Sequence, residues 1–358
     1  MAGAVVGLDI GTSGVRAAEL TFGRGPATLQ RFGQVALPVG AVRDGEVADP
    51  QAVGEAIKHL WSTAKFSSKR VVLGIANQKV IVRQVDLPWM PENELRKTLP
   101  LHVQDLVPIP IEQAVLDYHG LEAVTEDDGT RSRRVLLVAA ARDMIQQLLD
   151  AVRRAGLQAV HIDLTPFALL RSLGQLDQTG ATGGGQGGAE ALVDIGAKVT
   201  NIVVHDNGVP RFVRILLMGG DNITDAVSER LGVPFEQAVG VKQQLGMSPT
   251  RGEVISDHPA ARVIEASATA FVEEVRGSLD YYLAQPQSLP LTRIVLSGGA
   301  ARLGGLPQRL AAASRLPVRP GAAMASLKIG KTGLSPDQLS YVEPQIAVPV
   351  GLALGMAS

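Results

Sequence analysis

Two segments of this sequence, far apart along the chain, carry the same turn of aspartate, isoleucine and glycine. They are Asp9-Ile10-Gly11 and Asp194-Ile195-Gly196, and each follows a run of apolar residues. A strand that ends in aspartate and turns through glycine brings a carboxylate and backbone N–H groups to one point. Phosphate oxygens bind such N–H groups, and a hydrated Mg²⁺ ion binds such a carboxylate. One copy alone is more typical of an ordinary hairpin turn, but two copies favour a site for phosphates and magnesium.

The residues around both turns add groups that bind phosphate. They supply backbone amides, hydroxyls and one ammonium group. The candidates are Gly11, Thr12 and Ser13 in the first turn, and Gly196, Ala197, Lys198 and Thr200 in the second. We predict that these residues hold the phosphates, with Asp9 and Asp194 as magnesium ligands.

Two further glycine pairs follow predicted strands. Gly219-Gly220-Asp221 leads into a predicted helix, whose N-terminus suits an anion or a ribose, although an ordinary strand-to-helix turn has the same pattern. Gly298-Gly299 ends a buried strand before Arg302, and paired glycines there let a flat ring approach the backbone. Each pair is a weak signal alone, and the order of all four segments is what is specific.

The elements that must position these residues repeat. Residues 191–196 repeat the pattern of residues 6–11, and a second strand follows the turn in both places. The sequence TGATGGGQGG at residues 179–188 has the composition of a flexible linker and lies between the two copies. This arrangement predicts an α/β protein of two lobes with similar construction.

Residues 84–157 form a predicted insert of helices and strands. Its helix at residues 92–107 contains Pro100, which should kink or break it, and residues 125–134 are predicted as a polar loop. A set of apolar residues in this insert could form a groove for a short peptide, or could pack the insert onto lobe one; they are Leu87, Trp89, Met90, Val107 and Ile109.

Bulk composition excludes several classes of protein. The chain has 358 residues, a formal net charge of −1 and no cysteine, so general affinity for nucleic acid, disulfides and thiolate metal sites are not expected. The N-terminus lacks the basic region of a signal peptide, and the apolar stretch at residues 346–357 is too short to span a bilayer. We therefore expect a soluble protein that meets membranes only through a partner.

The quoted motifs resemble those of a known superfamily. LDIGTSGVR, LVDIGAKVTN and VLSGGAARLGGL resemble the phosphate-1, phosphate-2 and adenosine motifs of the actin, Hsp70 and sugar kinase superfamily. Across nearly the whole chain, VDLPWMPENEL, VPRFVRILLMGGDNITDAV and other stretches resemble the PilM family of type IV pilus assembly proteins. The resemblance implies an actin-like (ribonuclease H-like) two-lobed fold with an inserted FtsA-type 1C (SHS2-like) subdomain.

That resemblance also implies domain boundaries and a role for each site. Lobe one (1A) would comprise residues 1–83 and 158–183, the 1C subdomain residues 84–157, lobe two (2A) residues 189–220 and 276–358, and subdomain 2B residues 221–275. ATP and Mg²⁺ would bind between the lobes, with Asp9 and Asp194 holding the metal through water. Lys242 would join this site, whereas Val239 stands where the family usually has a glutamate near the ribose.

The partner implied by the resemblance is the short N-terminal cytoplasmic tail of PilN, in a cleft between 1A and 1C. Other pilus platform and motor proteins are further candidate partners, and self-assembly stays open. The protein would then work in the cytoplasm at the inner face of the membrane, in pilus biogenesis and twitching motility. Two alternatives remain: an FtsA-like filament protein near the membrane, and a small-molecule kinase of the same fold. ATP hydrolysis, if present, should be slow, because the sequence shows no convincing general base.

Overall fold

The computed structural model describes residues 3–125, 129, 131–174, 188–254 and 256–356. Within them the chain forms two lobes, each built on a mixed β-sheet, and a smaller third unit attached to the first lobe. The predicted linker at residues 179–188 lies, apart from Gly188, outside the described residues.

Lobe one begins with the predicted hairpin. Its first elements are β1 (Val5–Ile10), β2 (Gly14–Thr21), β3 (Thr28–Ala36), β4 (Val42–Arg43), β5 (Glu46–Val47), α1 (Pro50–Ala64) and β6 (Arg70–Ile75). Helix α1 begins at Pro50 because the Asp49 carboxylate accepts hydrogen bonds from the N–H groups of Gln51 and Ala52, each 3.0 Å long. Pro50 follows at the first helical position, where its missing N–H costs nothing.

The inserted unit is a three-stranded antiparallel sheet covered by one helix. Its elements are β7 (Val80–Pro88), α2 (Glu92–Val103), β8 (Ala114–Thr125) and β9 (Arg131–Ala141), in the order β7-β9-β8. The expected break at Pro100 does not occur, because Leu99 and Val103 on either side of it are buried against the sheet. The predicted loop at 125–134 is also too long, since β9 already begins at Arg131.

The next elements return the chain to lobe one; they are α3 (Arg142–Arg154), β10 (Gln158–Leu164) and α4 (Thr165–Leu173). Helix α3 buries Leu148 and Val152 in the core of lobe one together with Ile57 of α1. The inserted unit therefore spans residues 80–141, which differs from the predicted 84–157. An apolar stripe along a helix such as α3 does not by itself indicate which core that helix joins.

Lobe two repeats the plan of lobe one. Its elements are β11 (Ala189–Ile195), β12 (Thr200–Asp206), β13 (Val209–Leu216), α5 (Gly220–Leu231), α6 (Phe235–Leu245), α7 (Ala261–Leu283), β14 (Leu291–Ser297), α8 (Leu306–Ser314) and β15 (Val318–Pro320). The sheet has the order β13-β12-β11-β14-β15. The boundary predicted at 275/276 lies inside α7, whose Phe271 and Leu279 both belong to the core of this lobe.

The chain ends with β16 (Lys328–Ile329) and α9 (Pro336–Leu354). Strand β16 completes the sheet of lobe one, in the order β10-β6-β1-β2-β3-β16. Helix α9 contains Pro344 and Pro349 and is buried along much of its length. Among the described residues, we find no helix with the length and apolar character needed to cross a membrane.

Two helices, α4 and α9, each pack against the sheet of the other lobe. Helix α9, which follows lobe two, packs on β1 and β2 of lobe one, and α4, which follows lobe one, packs on β11 and β12 of lobe two. The approach is close: a Cβ atom at Gly351 would lie 1.8 Å from the carbonyl oxygen of Ala168, and one at Gly7 would lie 1.9 Å from that of Pro349. One apolar core, which includes Leu20, Leu169 and Leu192, therefore joins both sheets.

Candidate nucleotide site

A cleft of about 530 Å³ lies between the two lobes. Both Asp-Ile-Gly turns face it, one from each lobe. The predicted residues that line it are Asp9, Gly11, Thr12, Ser13, Asp194, Gly196, Ala197, Gly219, Gly220, Asp221, Lys242, Gly298, Gly299 and Arg302. The fold thus brings to one cavity four segments that are spread over some 300 residues of sequence.

The two turns that face the cleft have matching geometry. In the first, the N–H of Gly11 donates to the carbonyl of Gly14 (3.0 Å), and in the second, the N–H of Gly196 donates to the carbonyl of Val199 (2.9 Å). Each turn joins two antiparallel strands of the same register. The repeat read from the sequence is therefore a structural repeat of β1–β2 by β11–β12.

The carboxyl groups of Asp9 and Asp194 lie on opposite walls of the cleft, where Asp9 is half-buried and Asp194 is buried. Burial raises the pKa of Asp9, while Arg16, whose Nη1 lies 3.5 Å from Oδ2, acts in the opposite direction. Burial also raises the pKa of Asp194 to about 6, although the Ser297 hydroxyl donates to its Oδ1 at 2.9 Å and lowers it. Nearby negative charge on Asp9 raises it further. Two carboxylates whose pKa values are raised by desolvation fit a cation such as Mg²⁺, which stabilises their charged forms.

The Gly219-Gly220-Asp221 segment uses its amides inside the protein. The N–H of Gly220 donates to the carbonyl of Gly196 (2.9 Å), and the N–H of Asp221 donates to that of Ala197 (2.8 Å). The Gly219 N–H donates to Asn222 Oδ1 at 2.9 Å. The sequence suggested that these amides bind an anion. In the structure they are already hydrogen-bonded within the protein, and they hold the second turn against α5. The Asp221 carboxylate remains at the cleft, and burial raises its pKa.

The other end of the cleft is built by lobe two and α9. Gly298 has φ = +88°, and a Cβ there would lie 2.3 Å from the carbonyl of Ile195, so only glycine fits this turn. The Arg302 guanidinium lies over the ring of Tyr341, 4.1 Å from its centroid. Flat cationic and aromatic groups beside a bare glycine backbone can accommodate a planar base.

Lys242 connects the helices of this wall. Its Nζ donates to the Gly220 carbonyl (2.8 Å) and to Thr224 Oγ1 (2.6 Å), both in the first turns of α5. Burial lowers the pKa of Lys242, and Asp221 opposes that effect. Val239 also lines the cleft from α6, so the position of the expected glutamate does face the site but carries an apolar side chain.

Two predicted residues do not line the cleft. Lys198 forms an ion pair with Asp225 on the exposed side of α5, and the hydroxyl of the fully buried Thr200 donates to the Met218 carbonyl (2.7 Å). Other residues of the cleft were not predicted, among them Arg16, Asn201, Tyr341 and Gln345. Arg16 and Asn201 each stand seven residues after the aspartate of their own turn, and this spacing was a usable signal.

The five residues predicted to line a peptide groove do not form one surface. Leu87 and Val107 are buried in the core of the inserted unit. Trp89 is 43% exposed, but Arg131 and Arg133 lie over its ring at 4.4 and 5.1 Å. It follows the far end of β7, roughly 30 Å from Val80, at about 3.3 Å per strand residue. Ile109 alone packs against the cores of both lobe one and the inserted unit.

The inserted unit also touches lobe two. Arg134 of β9 pairs with Asp86 (2.9 and 3.0 Å) and Glu122 (3.2 Å), and also donates to Gln287, which follows α7. Arg211 of β13 lies 4.0 Å from Glu122. The inserted unit is thus in polar contact with lobe two.

Comparison with known proteins agrees with this geometry. A PilM–PilN type IV pilus biogenesis complex superimposes with a TM-score of 0.84 and 27% identity, over 99% of this chain and 98% of that chain. MreB 5 of Spiroplasma citri shares the fold, with a TM-score of 0.56 and 12% identity over 99% and 96%. The cell division protein FtsA of Bacillus subtilis (strain 168) is 23% identical, over 97% of this chain and 82% of that protein.

Two lobes of repeated plan, exchanged helices and matched acidic turns across a cleft define an actin-like two-lobed protein. The family profile described as "Type IV pilus assembly protein PilM" matches residues 7–357. The chain belongs to this PilM family, which confirms the expectation from its motifs.

Proposed function

We propose that the protein binds ATP and Mg²⁺ in the interlobe cleft and serves as a cytoplasmic scaffold of the type IV pilus platform. In this role it holds the N-terminal tail of PilN, and the nucleotide sets the affinity for that tail. The observation that carries the proposal is the pair of matched acidic turns, one from each lobe, in a single cleft. A similar structure of MreB 5 is described as bound to AMPPNP, and a PilM relative is described in complex with PilN.

In the proposed complex, each wall of the cleft has its own part. The turns at Gly11–Ser13 and Gly196–Ala197 would surround the phosphates, with Asp9 and Asp194 holding Mg²⁺ through water. Asp221 would accept from the ribose, and Gly298–Gly299 with Arg302 would face the base. With Val239 in place of a carboxylate, the ribose loses one acceptor, which lowers affinity by about tenfold for one hydrogen bond.

The tail of PilN would bind beside the junction of lobe one and the inserted unit. A groove of about 460 Å³ opens there between the end of α2 and the segment that follows it. It is lined by Leu101, by Val107 and Ile109 of the predicted set, and by three prolines of the same region, and Leu101 is 70% exposed. Gln104 and Glu112 also line this groove, so it fits an extended peptide that offers both apolar and polar groups.

Coupling between the two sites would use the contact of the inserted unit with lobe two. Arg134, Glu122 and Gln287 bridge the unit to the opposite lobe. Closure of the lobes on a nucleotide would change the distance between lobe one and lobe two. The hydrogen bonds of Arg134 across the two lobes would then form, lengthen or break. The inserted unit would then shift on lobe one, at the groove beside Ile109.

Isothermal titration of the protein with a synthetic PilN N-terminal peptide, with and without Mg·ATP, tests the proposal. We expect saturable binding whose affinity changes when Mg·ATP is present. Leu101→Ser should weaken peptide binding and leave Mg·ATP binding unchanged, while Val39→Ser, at a position 93% exposed, is the matched surface control.

The alternatives give different results in the same system. Failure to bind the peptide, together with intact ATP binding, would direct the search to another actin-like role. Sedimentation of the protein with Mg·ATP tests for filaments, and ADP release in the presence of small acceptor substrates tests for a kinase.

A further inference from the structure

One edge of the lobe-one sheet lies opposite the cleft. Strands β1, β3, β6, β10 and β16 begin at this edge and β2 ends there, because β2 alone runs antiparallel to the other strands of the sheet. The turn at Gly11, which faces the cleft, lies at the other end of β1, roughly 20 Å away at about 3.3 Å per strand residue. Four chain segments form the edge, namely residues 21–28, 65–70, 153–158 and 325–328.

These four segments contain seven basic residues and no aspartate or glutamate, although the whole chain has 34 basic and 35 acidic residues. All seven are exposed, and we call this surface the basic edge; they are Arg24, Lys65, Lys69, Arg70, Arg153, Arg154 and Lys328. Arg153 and Arg154 lie 3.7 and 2.7 Å from carboxylate oxygens of Asp150. The other five have no carboxylate partner within the part of the chain that the structure describes. Glu19, near this edge on β2, is buried and is already compensated by Arg31, 3.6 Å away.

The cations of the basic edge follow one another across the sheet. Lys328 and Arg70 begin β16 and β6, which are four strand positions apart in the sheet, or about 19 Å at ~4.8 Å per strand. A Cβ atom at Gly25 would lie 3.9 Å from Lys328 Nζ, so the turn that carries Arg24 lies beside Lys328. The Lys69 carbonyl accepts from the N–H that begins β10 (2.9 Å). The cations therefore form a broad row on turns and strand ends.

Lobe two shows that the fold itself does not require these cations. The strand order β6-β1-β2-β3 is repeated there as β14-β11-β12-β13, so the equivalent edge is formed by the turn between β12 and β13 and by residues 284–290 before β14. That turn carries Asp206, which lies 3.6 Å from Arg211, and residues 284–290 contain no charged side chain. The basic edge is thus a feature of the sequence of lobe one alone.

The chemistry of the basic edge fits one kind of partner best. A broad row of uncompensated cations attracts an extended surface of negative charge, even in a chain whose net charge is −1. Ile329, which is 47% exposed, follows Lys328 and adds an apolar side chain to the row. The headgroup region of an anionic bilayer accommodates both kinds of group. An acidic peptide needs a groove to hold it, and the two cavities described above lie elsewhere.

We propose that the basic edge binds the surface of a bilayer that contains anionic lipids. The contact is peripheral: the cations meet lipid phosphates, and no segment enters the hydrocarbon core. This inference goes beyond the proposed function, in which a partner alone holds the protein at the membrane. Because the edge lies opposite the turn at Gly11, binding in this orientation keeps that turn roughly 20 Å from the lipid.

Co-sedimentation of the full-length protein with vesicles tests the proposal. We expect binding to vesicles of phosphatidylcholine mixed with phosphatidylglycerol, and none to phosphatidylcholine alone. Binding should weaken as the salt concentration rises, because the charges are exposed to solvent. Arg24→Ser, Lys69→Ser and Lys328→Ser in one variant should weaken binding by at least about tenfold, since each cation near an anionic surface adds to the attraction.

The matched control removes the same charge from exposed positions of lobe two. It combines three substitutions and should bind anionic vesicles as the unmodified protein does; they are Arg230→Ser, Arg262→Ser and Arg319→Ser. Thermal melting checks that each variant is folded. If the first variant does not fold, Lys65→Ser with Arg70→Ser takes its place and should also weaken vesicle binding.

Three results would overturn the proposal. They are equal binding to neutral and anionic vesicles, equal losses in the basic-edge and control variants, and tighter binding to soluble poly-glutamate than to anionic vesicles, which would assign the edge to an acidic protein. Titration with the PilN peptide in the absence of vesicles tests the proposed function separately. Failure of either proposal can therefore be told from failure of the other.

Discussion

At the scale of single residues, two carboxylates in the cleft are destabilised in their charged form because they are removed from water. Asp9 and Asp194 both have raised pKa values because they are desolvated, and Arg16 compensates only in part. Mg²⁺ bound with a polyphosphate would balance the negative charge of both carboxylates, which Arg16 balances only in part. On the proposed function, the residues that would bind the ligand are for this reason the ones that destabilise the protein without it.

Asp194→Asn should stabilise the unliganded protein at neutral pH. The folded-state pKa of Asp194, about 6, is higher than its ordinary value of 3.8, so its contribution to stability is present below pH 4 and is lost as the pH rises through 6. Asparagine keeps an oxygen for the Ser297 hydroxyl and removes the charge, so the free energy of unfolding at pH 7 should rise by about 1–3 kcal/mol. Chemical denaturation at pH 4 and pH 7 measures this, and a variant less stable than the unmodified protein at pH 7 would contradict it.

Mg·ATP binding should depend on pH in the opposite sense. The metal requires the ionised carboxylates, so affinity should rise between about pH 5 and pH 7 as Asp194 loses its proton. Isothermal titration over this range measures the effect, and Asp194→Asn should bind Mg·ATP weakly at every pH. A phosphate group of ATP also loses a proton near pH ~6, so the comparison with the variant is needed to assign the dependence to the protein.

At the scale of elements, direct backbone contacts at two glycines hold the lobes together. Gly351 of α9 lies against the backbone of Ala168 in α4, and Gly7 of β1 lies against that of Pro349 in α9. Because these atoms are backbone and cannot rotate aside, the position of α9 relative to both sheets is closely defined.

Gly351→Ala should destabilise the protein strongly. Its Cβ atom would lie 1.8 Å from the carbonyl oxygen of Ala168, so α4 and α9 must separate, at a cost of about 3 kcal/mol or more. Gly277→Ala in α7, where a Cβ would meet no atom within 4 Å, is the control and should raise stability by roughly 0.5–1 kcal/mol. Thermal melting of both variants measures this, and equal melting temperatures would show that the helices can separate freely.

At the scale of the whole molecule, the inserted unit belongs by sequence to lobe one but also contacts lobe two. Its strand β9 carries Arg134, whose partners lie on both sides of that interface. A change in the distance between the lobes would therefore change the contacts of this unit. A ligand in the cleft would change that distance.

Gln287→Ala together with Arg211→Ala should remove the effect of Mg·ATP on peptide binding. Both substitutions lie in lobe two and remove its contacts to Arg134 and Glu122, without changing a residue of the inserted unit or of the cleft. Peptide affinity measured with and without Mg·ATP should become equal, while Mg·ATP affinity stays the same. Arg319→Ala, at an exposed position on β15, is the control; an undiminished ATP effect in the double variant would rule out this route of coupling.

The sequence by itself determined the elements whose local signals are strong. The repeated Asp-Ile-Gly turns and the family motifs were enough to predict the two lobes and the actin-like fold, both of which are confirmed. The residues of the candidate nucleotide site were also named from the sequence, and most line one cleft. Their roles toward a nucleotide stay predictions.

Only the tertiary structure decided which surface each residue faces. Apolar character alone could not show that Leu87 and Val107 are core residues, that α3 joins lobe one, or that Pro100 leaves α2 unbroken. The same holds for Lys198 and Thr200, which belong to the second turn but bind elsewhere in the protein. The physical reason is that propensity and turn chemistry act between neighbours in sequence, whereas burial and pairing depend on segments brought together by the fold.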